Sequence, residues 1–115
     1  MGPTVFEAEP GMKVFDEEVF GPVRCIKSVK NFDEAVSIIN RNRYGHTAVI
    51  YTESGKYARD FIRIVNTGQV GINVGTPAPI AFYPVGERKI SFYSSTRGRA
   101  NDAIDFYSDK KSSSI

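Results

Sequence analysis

Two amphipathic stretches, each opened by its own capping signal and flanked by β-branched runs, restrict this chain to an alternating α/β architecture. Asn31 followed by Glu34 is a capping-box pattern. Behind it Ala35, Val36, Ile38 and Ile39 fall on one helical face, and Tyr44-Gly45 closes the segment. Ser54 caps a second helix whose Tyr57, Ala58, Phe61, Ile62 and Val65 form a stripe, with Gly68 as its stop. Strands are expected at Val23–Val29, Thr47–Thr52 and Gln69–Val74. The order β-α-β-α-β predicts a parallel sheet with helices packed on it, because crossovers between parallel strands are right-handed. The fold class expected is α/β, a parallel-sheet segment without the strands that would complete it.

Beyond Val74 the pattern dissolves. Gly75-Thr76-Pro77-Ala78-Pro79 cannot be helical, and its prolines remove ladder donors. Phe82, Tyr83, Phe92 and Tyr93 follow among Gly, Pro and Ser, which suits an irregular loop bearing aromatic pocket walls. From Ala103 to Ser108 apolar and polar residues alternate, which predicts a terminal or edge strand.

With 115 residues the chain makes one domain at most, or a piece of one, and its burial is expected to be modest. No apolar run approaches the ~20 residues that span a bilayer, and no basic-then-apolar leader opens the chain, so a cytoplasmic, non-membrane location is expected. One cysteine permits neither an intramolecular disulfide nor a cysteine-cluster metal site, and no metal is expected. Residues 1–22 hold five acids against one base, whereas the stretch from Tyr83 onward has six bases and four acids. Contact with nucleic acid through Arg88, Lys89, Arg97 and Arg99 is the weakest functional reading, because acids interrupt this basic stretch.

Several residues invite a chemical reading that their context withholds. Cys25 lies inside an expected strand with no nearby His, which suits a buried small hydrophobe better than a nucleophile. His46 follows a helix-ending Tyr-Gly and has no triad or metal partners in the inventory. Gly55-Lys56 lacks the earlier glycine of a phosphate loop, and Gly68, Gly71 and Gly75 do not space as a dinucleotide fingerprint. Those glycines read as a helix stop, a close-packed strand position and the start of a loop.

What remains is Glu17-Glu18-Val19-Phe20-Gly21-Pro22-Val23. It sets adjacent carboxylates and an aromatic ring on a sharp turn at the mouth of a strand. There a carboxylate can accept two hydrogen bonds from a vicinal diol while a ring covers a flat heterocycle. The alternative is a surface turn with two solvated acids.

This string resembles the E-E-[IV]-F-G-P-V signature of the aldehyde dehydrogenase superfamily. The resemblance continues through Phe32-Asp33-Glu34-Ala35, Asn40 to Gly45, Thr47 to Thr52 and Gly68-Gln69-Val70-Gly71-Ile72-Asn73-Val74. Residues 75–84, with Ser91-Phe92-Tyr93 and Ala103 to Tyr107, are similar to the methylmalonate-semialdehyde dehydrogenase branch. The resemblance implies NAD as cofactor, oxidation of an aldehyde held as a thiohemiacetal, and coenzyme A as acyl acceptor after decarboxylation. It implies that Glu18 binds the nicotinamide ribose hydroxyls and Phe20 packs beside the nicotinamide, while Thr76 and Phe82 line the aldehyde pocket. It also implies that residues 1–100 belong to the C-terminal part of the catalytic domain and 101–115 to a terminal oligomerisation strand and tail.

The departures are specific. The family's nucleophilic cysteine, general-base glutamate and nucleotide-binding domain lie upstream of the Glu-Phe-Gly-Pro motif, in sequence this chain does not include, so no catalytic residue is assigned and inactivity alone is expected. Met1 stands either as a start or as an internal methionine of a longer protein. Glu87-Arg88 and Ser94 replace the small or aromatic residues and the glycine usual in the branch, and serines end the chain. The expected partners are the remainder of an aldehyde dehydrogenase chain and further copies in a homo-oligomer. A stand-alone self-associating or partner-binding module without catalysis is the alternative.

Overall fold

The computed structural model describes residues 2–78, 83–86, 88–93 and 98–113. It is a mixed α/β chain with parallel strand pairs, in two compact units, Met1–Arg43 and Tyr44–Ile115.

In the first unit, β1 (Thr4–Glu7) and β2 (Val23–Ile26) run parallel, with Thr4 opposite Val23 and Glu7 opposite Ile26. Parallel neighbours need a long crossover. Here it contains a single helical turn, α1 (Lys13–Asp16). The ladder is extended at both ends, where the Thr4 amide donates to the Pro22 carbonyl and the Ala8 amide to the Ile26 carbonyl, both at 2.9 Å. An ion pair between Lys27 and Glu9 ties the chain just beyond it.

Next comes α2 (Phe32–Arg41), which opens as its sequence dictates. The Glu34 amide donates to Asn31 Oδ1 at 2.9 Å, and Glu34 Oε2 reaches back to accept from the Lys30 amide at 2.7 Å. The reciprocal bond thus lands one residue before the cap. Of the expected apolar face, Val36 is buried and Ala35, Ile38 and Ile39 are half-buried.

In the second unit, β4 (Thr47–Ile50) pairs in parallel with β5 (Gln69–Ile72), and α3 (Gly55–Ile64) crosses between them. Ser54 Oγ accepts from the Tyr57 amide at 3.4 Å, a longer cap than that of α2. Phe61 and Val65 of the expected stripe are buried with Ala48, whereas Tyr57 and Ile62 remain exposed. On the outer face of α3 Lys56 bonds Asp60 at 2.8 Å, and that hydrogen bond holds the Asp60 carboxyl below its ordinary value.

Besides β1 and α1, two further short elements carry no signal in the sequence. β3 (Tyr44–Gly45) and β6 (Arg88–Lys89) form an antiparallel bridge. Lys89 adopts a φ of 57°, and its partial burial lowers the ammonium's proton affinity. The bridge brings Gly86 against Gly68 so closely that a methyl at Gly86 would fall on the Gly68 carbonyl oxygen.

The expected strand at 103–108 is instead a helix, α4 (Asn101–Tyr107). A terminal strand needs an edge to satisfy its amides, while a helix satisfies them within the segment. The spacing of Ala103, Phe106 and Tyr107 serves a helix as readily as a strand, and the Phe106 and Tyr107 rings meet edge to face at 4.8 Å. Among the described residues no helix is long and apolar enough to cross a membrane.

The two caps predict unequal mutational costs. Asn31→Ala should lower unfolding stability by about 1 kcal/mol, and Ser54→Ala by roughly half as much, given its longer bond. Urea titration of the two variants checks this, and equal midpoint shifts would contradict the geometric ranking.

Candidate functional site

The Glu-Glu-Val-Phe-Gly-Pro string runs between α1 and β2, and each end is fixed by backbone bonds. The Asp16 amide donates to the Met12 carbonyl at 3.0 Å and the Glu17 amide to the Lys13 carbonyl at 2.8 Å, closing the helical turn. The chain then passes without regular structure through Glu18, Val19 and Phe20, bends at Gly21-Pro22, and joins the parallel ladder where Pro22 accepts from Thr4.

This course encloses an open groove of about 520 Å³, lined among others by Phe15, Glu17, Glu18, Phe20, Arg24 and Cys25. Glu18 is exposed, and its carboxylate makes no ion pair or hydrogen bond among the described residues. Both oxygens therefore keep their acceptor capacity. The Phe20 side chain is 92% exposed, an unusual position for a large apolar ring. Arg24 sits on the same wall and donates through Nη1 to its neighbour's carbonyl, that of Val23, at 3.2 Å. The groove thus offers a double acceptor beside an open ring face, which suits a ligand carrying adjacent hydroxyls next to a flat ring.

Cys25 is half-buried, less enclosed than its strand position suggested, and its partner across the ladder is Phe6. It lines the groove that Glu17 and Glu18 share. His46 is exposed between β3 and β4, and its carbonyl accepts from the Gln69 amide at 2.9 Å. Among the described residues no group of three His, Cys, Asp or Glu could hold a metal ion.

Thr76 is exposed on the stretch that leaves β5 in the second unit. Phe82 falls outside the described residues, as do Glu87, Ser94 and Arg97. Arg88 is described, and its Nη1 donates to Asn66 Oδ1 at 3.1 Å.

One residue escaped the sequence reading as anything more than the end of a strand. Asn73 stands at φ 54°, and its amide group bonds both backbone atoms of Thr52. Its side chain and its place just past a β-branched strand were visible in the sequence, but the partner is 21 residues away.

Comparison with known proteins identifies the family of the chain. The family model for the aldehyde dehydrogenase family matches residues 1–113. A malonate-semialdehyde dehydrogenase of Bacillus thuringiensis (strain Al Hakam) is 42% identical over 112 residues, which cover 96% of this chain and 23% of that protein. Among solved structures, the methylmalonate-semialdehyde dehydrogenase of Oceanimonas doudoroffii superposes with a TM-score of 0.87 at 32% identity, over 96% of this chain and 22% of that one. A structure from Sinorhizobium meliloti 1021, assigned as a methylmalonate-semialdehyde dehydrogenase and complexed with NAD, gives 0.83 at 35% identity, over 90% of this chain and 21% of its own. The chain therefore spans less than a quarter of the length of the proteins it matches.

The exposure of the groove is open to direct measurement. The chain contains no tryptophan, so Phe20→Trp installs a single reporter. Its emission should be that of a water-exposed indole, with acrylamide quenching close to that of a free tryptophan. A blue-shifted, quench-resistant emission in dilute solution would contradict the open groove.

With the signature turn, the capped helices and the matching family model together, this chain belongs to the aldehyde dehydrogenase family.

Proposed function

We propose that this chain supplies one wall of an NAD-dependent semialdehyde dehydrogenase site, of the type that passes its acyl group to coenzyme A. The observation that carries the reading is the pairing of Glu18 and Phe20 on one groove, the first with unengaged oxygens and the second with an uncovered ring.

The residues fit the cofactor in its chemistry. A carboxylate accepts two O–H bonds from the vicinal hydroxyls of a ribose, and such charge-assisted bonds are among the stronger ones. The Phe20 ring excludes water from one side of the adjoining heterocycle and limits its tilt. A nicotinamide bound there supplies the hydride acceptor for the aldehyde carbon. Thr76 and Phe82 take the role of aldehyde-pocket lining.

Semialdehydes of the malonate or methylmalonate type are the substrates favoured by the relatives' names. The reading keeps a cytoplasmic location and homo-oligomeric assembly, with 101–115 as the assembly tail. Catalysis needs the reacting atoms held within about 3–3.5 Å, and one wall cannot impose that positioning. The 115-residue polypeptide by itself is therefore inactive, and the remainder of a dehydrogenase chain is its functional partner.

A second reading has its own observation. Ile104, Phe106 and Tyr107 of α4 are 69%, 51% and 76% exposed, and Tyr93 is fully exposed. Apolar surface of this kind favours self-association or docking to another polypeptide. Sedimentation at several concentrations separates a strictly monomeric species from an associating module.

The primary reading is tested in a hybrid in which residues 1–113 replace the matching segment of the Bacillus thuringiensis relative. Glu18→Gln should raise KM for NAD by ~10–100-fold while KM for malonate semialdehyde stays near its starting value. An unchanged KM for NAD would refute the ribose assignment. The purified 115-residue chain should form no NADH from the semialdehyde. Turnover abolished by Cys25→Ser would overturn both the inactivity and the non-catalytic reading of Cys25.

A further inference from the structure

We propose that Asn73 is a positioning residue, which clamps the end of β4 and so sets the course of the 74–78 stretch that carries Thr76. The clamp is read from geometry alone. Its consequence for aldehyde specificity rests on the pocket role proposed for Thr76.

Three bonds leave Asn73 for the same neighbouring strand. Its backbone amide donates to the Ile50 carbonyl at 2.9 Å. Its Oδ1 accepts from the Thr52 amide at 2.8 Å, and its Nδ2 donates to the Thr52 carbonyl at 3.0 Å. Thr52 in turn accepts through Oγ1 from the Ser54 amide at 3.1 Å, so the clamp also touches the residue that caps α3.

The residue type is determined by two demands made at once. A φ of 54° is left-handed backbone, which Asn tolerates better than most residues and which turns the chain away from the strand direction. The side chain must also donate and accept at the same reach, which an amide does and a carboxylate does not.

The redirected chain then lies back over its own strand. A methyl at Gly71 would come 2.8 Å from Val74 Cγ2, 3.1 Å from Val49 Cγ2 and 3.4 Å from Pro77 Cδ. The bare Gly71 backbone is thus the seat on which Val74 and Pro77 rest. On the way between them, a methyl at Gly75 would come 4.0 Å from the Tyr51 hydroxyl. Clamp and seat together fix both ends of the stretch, with Thr76 exposed between them.

Placement supports a role beyond holding two strands together. The four ladder pairs from Thr47–Gln69 to Ile50–Ile72 already join β4 and β5. The clamp lies beyond them, exposed, at the carboxyl ends of two parallel strands, where open α/β sheets present their ligand-binding loops. Solvent-exposed bonds add little to global stability, so their main effect is on the direction of the chain that leaves.

The test pairs two variants with two readouts. Asn73→Gly keeps the backbone conformation at no steric cost and deletes both side-chain bonds. In the 115-residue chain it should accelerate amide exchange at Thr52 by ~10-fold and lower the backbone order parameters of Val74, Gly75 and Thr76, while amides of α2 are unchanged. Asn73→Asp retains the acceptor for the Thr52 amide and should restore protection there, leaving the order parameters of 74–76 intermediate. In the hybrid enzyme Asn73→Gly should raise KM for malonate semialdehyde by ~10-fold with kcat and KM for NAD within twofold of the parent. Wild-type exchange at Thr52 together with wild-type order parameters at 74–76 in Asn73→Gly would overturn the clamp, as would a uniform rise in exchange across the whole chain. Released amides with an unchanged semialdehyde KM would overturn the link to specificity. Thr76→Val tells the two ideas apart: if it leaves the semialdehyde KM unmoved, the pocket reading falls, and the clamp is judged by exchange and order parameters alone.

Discussion

The parallel pairing of β4 with β5 is the constraint from which the second unit follows. A parallel pair cannot be closed by a tight turn, so a helix must cross between the strands, and that helix must bury a face. Phe61 and Val65 supply the face, and Ala48 on β4 is buried with them. Burying a phenylalanine of this kind contributes about 2–3 kcal/mol, a large share for a unit with so few enclosed side chains. The ladder also determines where chain can leave. Gly68 donates to the Gly45 carbonyl at 2.8 Å at one end, and Asn73 reaches Ile50 and Thr52 at the other.

The helices α2 and α3 were legible because their signals are local. Asn31, Glu34 and Ser54 act within one turn of the backbone they cap, so sequence order already contains the interaction. The strands flanking them were legible as well, although each runs shorter than its β-branched content suggests. β5 stops at Ile72 because Asn73 turns left-handed, and β2 stops at Ile26. What was hidden is what depends on distant partners. Thr4–Glu7 ends in an acid and is a strand only because Val23–Ile26 lies beside it. Tyr44–Gly45 and Arg88–Lys89 are two residues each, below any pattern, and are defined solely by meeting one another. The segment at 101–107 fails differently. Its spacing fits two periods, and the conformation that satisfies its own amides prevails.

The same division runs through the candidate site. Glu18 and Phe20 were visible because the chemistry they share is contiguous in the chain, and the turn that carries them is drawn from adjacent residues. Thr76 could be singled out only by resemblance, since nothing in its own neighbourhood identifies it. Asn73 was overlooked for a stricter reason. Its left-handed backbone and its paired bonds to Thr52 are properties of two strands, and no periodicity in either strand encodes them.

Scaffold and site residues in this chain divide their tasks cleanly. The turn bearing Glu18 is held by amides and carbonyls of Met12, Lys13, Pro22 and Thr4, none of which uses the carboxylate or the ring. Unengaged groups contribute little to stability, yet they are the groups with bonding capacity left to offer. Had Glu18 been fixed by an ion pair such as that between Lys27 and Glu9, it would be better anchored and would have less acceptor capacity left for a ligand. The stretch after β5 obeys the same rule at longer range. Asn73 and Gly71 consume their bonding and contact capacity in holding the backbone, and Thr76 is left exposed between them. For the proposed role as one wall of a reaction chamber, this arrangement puts the rigidity in the main chain and leaves hydrogen-bonding capacity on exposed side chains.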